Sequence, residues 1–535
     1  MLSELISASA AALAVGILSV VYFTWRIIYL LYFHPLAKFP GPFWAKVTSV
    51  YGSYYAWKGD THLDMMRVHE KYGDFVRYTP DTLFVNNADG LHDIHSSGAY
   101  SSFLKSGHYQ VMEHRVPSTF TARGGKDHLR RRRIVSQTVS EKAQRGYDPR
   151  IAYHVRKFCD AVFPAEPGVE GQPKNMADWC AYLSFDLITD LVFSASYNLL
   201  GSEKFRYVPH VIDKSNVRMS VLVYVPFVSW LRALDNYLFG EALVARNRLL
   251  RFVSRAVRER TDRALGKWSP KSLDPCPPRA DIFAALATAK DPVTNEGFSA
   301  DDMVSESITL MVAGSDTSST AIASTLFYLA DNPHAYHKAA AEVRRAFHDK
   351  GITKDRAADG PELGSCVYLR ACIDEALRMS PPNGGALTRE VIAKEGVTIA
   401  GNYIPSGCNV GVPLYAIHHD SRYYPEPFHY RPERWLEDDG TGSIERARYA
   451  FNPFGIGMRG CLGKGLAYHE VMTAVATVLY LGDFRFADGE LGQVGRGGAG
   501  GTSYGRHRRN EYQLRDHITG QKQGPWLCFT RRELA

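Results

Sequence analysis

The stretch Phe454-Gly455-Ile456-Gly457-Met458-Arg459-Gly460-Cys461-Leu462-Gly463 decides how the rest of this chain is read. Its glycines let backbone come close to a flat ligand. The apolar run that follows predicts a helix over 464–480. The free amides at the start of that helix point back toward Cys461, where they stabilise a thiolate and tune its donation to a metal. One thiolate from a loop suits a haem iron, on which thiolate donation favours O–O cleavage. A cysteine alone is more often a small buried residue. The weight lies in the whole string, because Phe, spaced Gly, Arg, Cys and Gly in one register are improbable by chance.

Upstream of this loop, Glu375-Ala376-Leu377-Arg378 falls in a predicted helix over 365–379, which stops at Ser380-Pro381-Pro382. Alone, such a pair is an i,i+3 ion pair of the kind many helices carry on their surface. A longer helix is predicted from Ser299, an N-cap with Asp301 and Asp302 behind it, to Asn332-Pro333. At 1.5 Å per residue it spans roughly 48 Å, and its apolar middle predicts burial. Ala313-Gly314-Ser315-Asp316-Thr317 interrupts that middle, and glycine plus three competing side-chain oxygens is a costly insertion there. Gly314 would let the helix open, while Thr317 and Asp316 supply a hydroxyl and a carboxylate that can pass a proton. The plainer alternative has Thr317 bonding back to its own helix. A strand pair is predicted over 396–399 and 403–404. By composition, the basic run 128–133 is a solvated face or a nucleic-acid patch, and the glycine-rich 489–505 is a surface insertion.

Residues 5–25 carry no charge and are long enough to cross a bilayer core. Glu4 precedes them, and Arg26 and Lys38 follow. That order is the reverse of a cleaved signal peptide and puts the body on the cytosolic side. Tyr22, Trp25, Tyr29 and Tyr32 suit an aromatic interface belt, and the prolines of 34–42 make a stiff elbow. The expected division is a membrane anchor (1–33), a hinge (34–44) and one catalytic domain (45–535), mainly α with a minor β component. The composition of the 535 residues, 45% hydrophobic and 22% charged, excludes disordered, collagenous and coiled-coil classes. A net charge of +7 is too weak to imply nucleic acid and enough to favour an acidic partner surface. The 8 cysteines include no CxxC pair, which disfavours a zinc ribbon or a disulfide scaffold. The lack of an Asn-x-Ser/Thr sequon agrees with a cytosolic body.

Taken together, these strings resemble the cytochrome P450 superfamily in its microsomal fungal type. Residues 454–463 match F-G-x-G-x-R-x-C-x-G in full. Residues 313–317 match A-G-x-[DE]-T, 375–378 match E-x-x-R, and Pro432-Glu433-Arg434-Trp435 matches P-E-R-[FW], all in the family's order. The resemblance implies a cytochrome P450-like helical fold behind one transmembrane helix. It implies haem b with Cys461 as axial thiolate, Phe454 and Gly314 beside the cofactor, and Arg132, Arg389, Arg459 and His128 on its propionates. His128 stands where the family more often has Trp. Thr317 and Asp316 take the proton-delivery positions, and Glu375, Arg378 and Arg434 form a buried structural network. The surplus arginines of 128–133 would face a reductase.

The activity implied is a haem-thiolate monooxygenase on the cytosolic face of the endoplasmic reticulum. It would draw electrons from NADPH through the cytochrome P450 reductase, with cytochrome b5 as a further donor. One oxygen atom would enter a lipophilic small molecule of fungal secondary metabolism. The substrate pocket would be drawn from 100–123, 216–230, 308–313 and 383–387. A haem-thiolate isomerase needs no proton relay, and both relay positions are filled. A haem-binding sensor would show no substrate-stimulated NADPH consumption, and a nucleic-acid protein would show no Soret band.

Overall fold

Ser299 starts the central helix as its residue type dictates. Its hydroxyl accepts from the Asp302 amide while the Asp302 carboxylate accepts from the Ser299 amide. The computed structural model describes residues 2–264, 281–352, 363–437, 440–498 and 503–534. Cys276 and residues 499–502 of the glycine-rich segment lie outside the described residues.

The first helix, α1 (Leu2–Ile28), continues as a wider turn to Phe33. The stretch Ala12–Phe33 is long and apolar enough to cross a membrane, and almost none of it is buried against the body. Its end is tied down by Arg77, which has no exposed surface and donates to Leu30 O (2.7 Å) and Pro80 O (3.0 Å). After the hinge come α2 (Val50–Lys58), α3 (Thr61–Tyr72), β1 (Phe75–Thr79), β2 (Thr82–Val85), α4 (Ala88–His95), β3 (Phe103–Lys105), α5 (Gly125–Thr138), α6 (Met176–Phe193) and α7 (Tyr207–Leu222). The later elements are α8 (Ala300–Asp331), α9 (Val367–Met379), β4 (Arg389–Val391), β5 (Val397–Ile399), β6 (Asn402–Ile404), β7 (Asn409–Gly411), α10 (Lys464–Leu481), β8 (Arg515–His517) and β9 (Thr519–Gln521).

The architecture is mainly helical with small sheets, as the sequence implies. Helices α6, α8, α9 and α10 bury their apolar faces in one continuous core through Leu183, Leu187, Leu326, Phe327, Ile373 and Val475. A five-stranded sheet in the order β1-β2-β7-β4-β3 stands beside it, with only β2 and β7 parallel. The expected pair 396–399/403–404 is the antiparallel hairpin β5–β6, which turns at Ala400 and Gly401, both at positive φ. In the glycine-rich 489–505, Arg496 pairs with Asp331 at the end of α8 (2.6 Å) and stacks over Phe486, which ties the described part of this surface segment to the body.

Candidate functional site

The cysteine loop is closed by the Cys461 amide, which donates to Phe454 O at 2.7 Å. Gly457 has φ 66°, and a Cβ there would lie 2.2 Å from His95 O, so α4 presses on the loop where only glycine fits. Phe454 packs its ring on Tyr468 of α10, with centroids 4.8 Å apart. Cys461 is the exposed cysteine among those described; the others are buried. The residue is exposed at its surface yet has protein packed around it at longer range. Burial pushes its pKa up, against the Gly463 amide, Arg132 and Lys464, which pull it down. The Gly463 amide is the donor expected at the helix start.

A cluster of cations flanks this loop. Arg132 donates to Gly460 O (2.9 Å), Arg459 to Ala122 O (2.7 Å) and Arg123 O, and Arg389 to Thr388 O (3.0 Å). Lys105 joins them through Phe120 O. Among the described residues none of these four pairs with a carboxylate; nearby Glu390 is taken by Arg123. Burial, then repulsion from Arg389, lowers the Arg459 pKa to about 10. Burial, then Arg459 and Arg132, lowers His128 to about 3, so its ring is neutral and hydrogen-bonds Tyr100 at 2.9 Å. Buried like charges without counterions are costly. Lys105 and Arg389 are buried and Arg132 and Arg459 half-buried, so the cluster is a preformed receptor for an anionic group, and with an accessible thiol beside it the residues fit haem. Sequence reasoning missed Lys105 and Tyr100. The signal for Lys105 was strand alternation, which puts it on the same buried side as Phe103.

The other residues of the basic run do not wait for a partner. Arg131 is buried and pairs with Asp302 (2.6 Å) and Glu306 of α8, and Arg133 pairs with the fully buried Asp291. Arg130 bonds Gly297 O at 2.9 Å. The expectation that they form a free docking face is corrected: these guanidiniums staple α5 to α8 and the chain before it, because the acidic partners come from the same chain.

Within α8, Ala313 is exposed and Thr317 half-buried, while the stretch from Ser318 to Leu329 is buried throughout. Thr317 Oγ1 donates to Ala313 O at 2.7 Å. Asp316 accepts from Thr519, whose hydroxyl also receives Asn216 (3.1 Å), and it lies 3.6 Å from Lys522. Burial, then the neighbouring Asp316, pushes Asp213 up to about 7. Gly314 does not open the helix, which runs unbroken. A Cβ there would meet Ile188 of α6 at 2.7 Å, so the close approach that demands glycine is between helices.

Glu375 in α9 is fully buried, and both its oxygens are occupied. Oε1 accepts from Arg378 (2.8 Å), Arg434 (2.9 Å) and the Arg431 amide (3.1 Å), and Oε2 from Arg378 (3.0 Å) and Trp435 Nε1 (3.0 Å). Burial alone would raise its pKa, but Arg378 and Arg434 hold it below the ordinary carboxylate range. A depressed carboxylate pKa adds stability above the unfolded value, and that stability is lost as pH falls through the native one. Glu375→Ala leaves two buried guanidiniums unpaired and should cost ~3–5 kcal/mol in urea unfolding at neutral pH. The difference between wild type and Glu375→Gln should shrink on acidification; a constant difference would contradict the ionised network.

A cavity of about 720 Å³, open mouth included, is walled by Tyr109, Phe120, Tyr224, Leu387, Asp516 and Ile518, among others. The predicted stretches 100–123, 216–230 and 383–387 all contribute. Residues 308–313 do not line it; α2, α3, β1 and β2 take that place through Ala56, Thr61, Met65, Thr79 and Phe84. The cavity borders the cation cluster, since Lys105 Nζ lies 4.0 Å from the Tyr109 ring and 3.4 Å from the Phe120 ring.

Comparison with known proteins agrees with this geometry. The family model described as Cytochrome P450 matches residues 39–490. The chain is 44% identical to the cytochrome P450 monooxygenase AKT7 of Alternaria alternata, over 97% of each chain. It is 39% identical to the cytochrome P450 monooxygenase poxM of Penicillium oxalicum, over 99% of this chain and 98% of the relative. It is 37% identical to the cytochrome P450 monooxygenase atnE of Emericella nidulans over the same shares.

Proposed function

The chain belongs to the cytochrome P450 family and is a haem-dependent monooxygenase, and from that premise we propose how its own residues serve the reaction. When bound, haem supplies the redox chemistry that cleaves O₂ and inserts one of its atoms into the substrate. Cys461 Sγ holds the iron. Arg132, Arg389 and Arg459 hold the propionates as counter-charges, and His128 holds them as a neutral hydrogen-bond partner. Phe454 shapes the cysteine loop. Thr317 Oγ1 and the Asp316 carboxylate handle protons for the reaction. The substrate is a lipophilic molecule of fungal secondary metabolism, received in the cavity between Tyr109, Tyr224, Leu387 and Asp516, and electrons come from NADPH through the cytochrome P450 reductase, with cytochrome b5 as a further donor. The observation that carries this reading is the accessible Cys461 thiol beside a buried and half-buried cluster of cations that lack carboxylate partners among the described residues. Substrate-stimulated NADPH consumption with a reductase, together with a red-shifted Soret band of the reduced carbon monoxide complex, tests it.

We place residues 1–33 as the anchor, 34–44 as the hinge and 45–535 as the catalytic domain on the cytosolic face of the endoplasmic reticulum. Exposed apolar side chains also cover the body at Phe43, Trp44, Trp57, Phe227, Trp230 and Tyr237. Deleting residues 1–33 should release the protein from carbonate-resistant attachment, leave haem incorporation intact and keep a peripheral, salt-labile association through that apolar surface. A truncated chain still resistant to alkaline carbonate would show a second integral element.

A further inference from the structure

Buried carboxylates in this chain are as a rule provided for. Glu375 has its guanidiniums, Asp281 has Arg260 (2.6 Å), and Asp186 accepts the amides of Leu199 and Leu200. Asp516 is different. It is 8% exposed, lies in β8 opposite Gly520 of β9, and its amide is bonded to Gly59 O (2.9 Å). Its Oδ2 is shut off from solvent and has no hydrogen-bond partner. The nearest cation that acts on it is Arg506, whose guanidinium is already bound to Asp60 (2.7 Å), Gln513 (2.9 Å), Leu514 O (2.8 Å) and Gly59 O (3.0 Å). Asp516 lines the cavity of Tyr109 and Tyr224 and also a smaller neighbouring one walled by His62, Gly384, Tyr415 and Glu511, among others.

Its surroundings are shaped to keep it there. A Cβ on Gly385 would lie 3.0 Å from Oδ2, so the chain opposite packs close to the oxygen and leaves no room for a side chain there. Ile518, at the β8–β9 turn, has φ 73°, a conformation a β-branched residue takes only under strain, and its side chain forms the adjoining wall. The other polar lining residues, among them Thr61, His108, Ser220 and Asn383, are neutral hydroxyl, amide and imidazole groups, and Met65, Phe84, Met112, Phe120 and Leu387 are apolar.

We propose that Asp516 is the specificity-determining residue of the cavity, accepting a hydrogen bond from an N–H or O–H group on an otherwise lipophilic substrate. The proposal rests on the reading of this cavity as the substrate's. A site built to pair a substrate donor discriminates strongly against the analogue that lacks it, because the site's own polar atom is then left buried and bare. Burial pushes the Asp516 carboxyl up to about 7, with Arg506 opposing, so a cationic donor would hold it ionised while a hydroxyl would meet it partly protonated.

The test uses the full-chain holoenzyme and matched probes on decyl, geranyl and naphthylmethyl skeletons: the alcohol, its methyl ether and the dimethylamine, which is a cationic donor at neutral pH. Binding is read as the displacement of the haem Soret band. Wild type should bind at least one class of donor probe roughly ten- to a hundred-fold more tightly than the ether. Asp516→Ala should make the three alike. Asp516→Asn, which keeps the shape and an acceptor oxygen, should retain a preference for alcohols and lose one for amines, and so tells a neutral donor from a cationic one even if the alanine variant does not fold. No donor preference in wild type, including no binding of any probe, overturns the proposal, as does a preference that survives Asp516→Ala. The red-shifted carbon monoxide band is recorded for every variant; its absence in wild type would instead remove the haem reading beneath the proposal.

Discussion

Cys461→Ala is expected to lose the red-shifted carbon monoxide band and all monooxygenase turnover. The expectation follows from the inventory of thiols. Of the described cysteines, Cys159, Cys180, Cys366, Cys372, Cys408 and Cys528 are buried, and burial pushes the Cys159 and Cys372 thiols far up. None of them can present a thiolate to a ligand. Cys461 has the accessible sulfur, the Gly463 amide that bonds it, and Arg132 and Lys464 within electrostatic reach. Metal charge at that sulfur inverts its local preference for the protonated form. The fold itself should survive, because the loop is closed by backbone, Cys461 N to Phe454 O, and by glycines rather than by the thiol. Far-ultraviolet circular dichroism should therefore match wild type. A variant that keeps both the band and turnover would place the ligand on another cysteine and end the assignment.

What could be read from the sequence is what depends on a local rule. Ser299, Asp302 and Asn332-Pro333 bound α8 because caps and prolines act on neighbouring residues, and the loop 454–463 is legible because its glycines and its cysteine lie on one short piece of chain. The misreadings are long-range. The basic run 128–133 looks like a solvated face until Asp291, Asp302 and Glu306 arrive from more than a hundred and fifty residues away to neutralise it. Gly314 looks like a hinge until α6 packs Ile188 against it. The glycine-rich segment gives no sign in sequence of the pairing of Arg496 with Asp331. Asp516 carries no sequence signal at all. Its neighbourhood is assembled from Gly59, Gly385 and Ile518, and only the closed fold shows that its Oδ2 is bare.

Thr317→Ala is expected to keep substrate binding and haem reduction while turning NADPH consumption toward hydrogen peroxide at the expense of product. Insertion of one oxygen atom consumes two protons, which must reach the site without water flooding an apolar cavity. Thr317 Oγ1 donates its own proton to Ala313 O, so what it offers a reaction partner is its lone pairs. It therefore acts as an acceptor that fixes a water, and that water carries the proton. The bond back to the helix and the catalytic role are compatible, because they use opposite sides of one hydroxyl. Asp316 is held by Thr519 and lies near Lys522, so it relays a proton only on releasing one of them. Thr317→Ser restores the acceptor and should couple nearly as wild type does. Asp316→Asn keeps the hydrogen bond from Thr519 but cannot take up a proton, and should slow turnover more than it changes the ratio of peroxide to product. Proton transfer by a positioned group is typically worth ~10²–10⁴-fold; a water settling at the vacated Thr317 position recovers part, leaving product per NADPH about tenfold lower. Measuring NADPH consumed, peroxide formed and product formed in one assay separates these outcomes. Unchanged coupling in Thr317→Ala would remove the hydroxyl from the reaction and leave proton delivery to other groups.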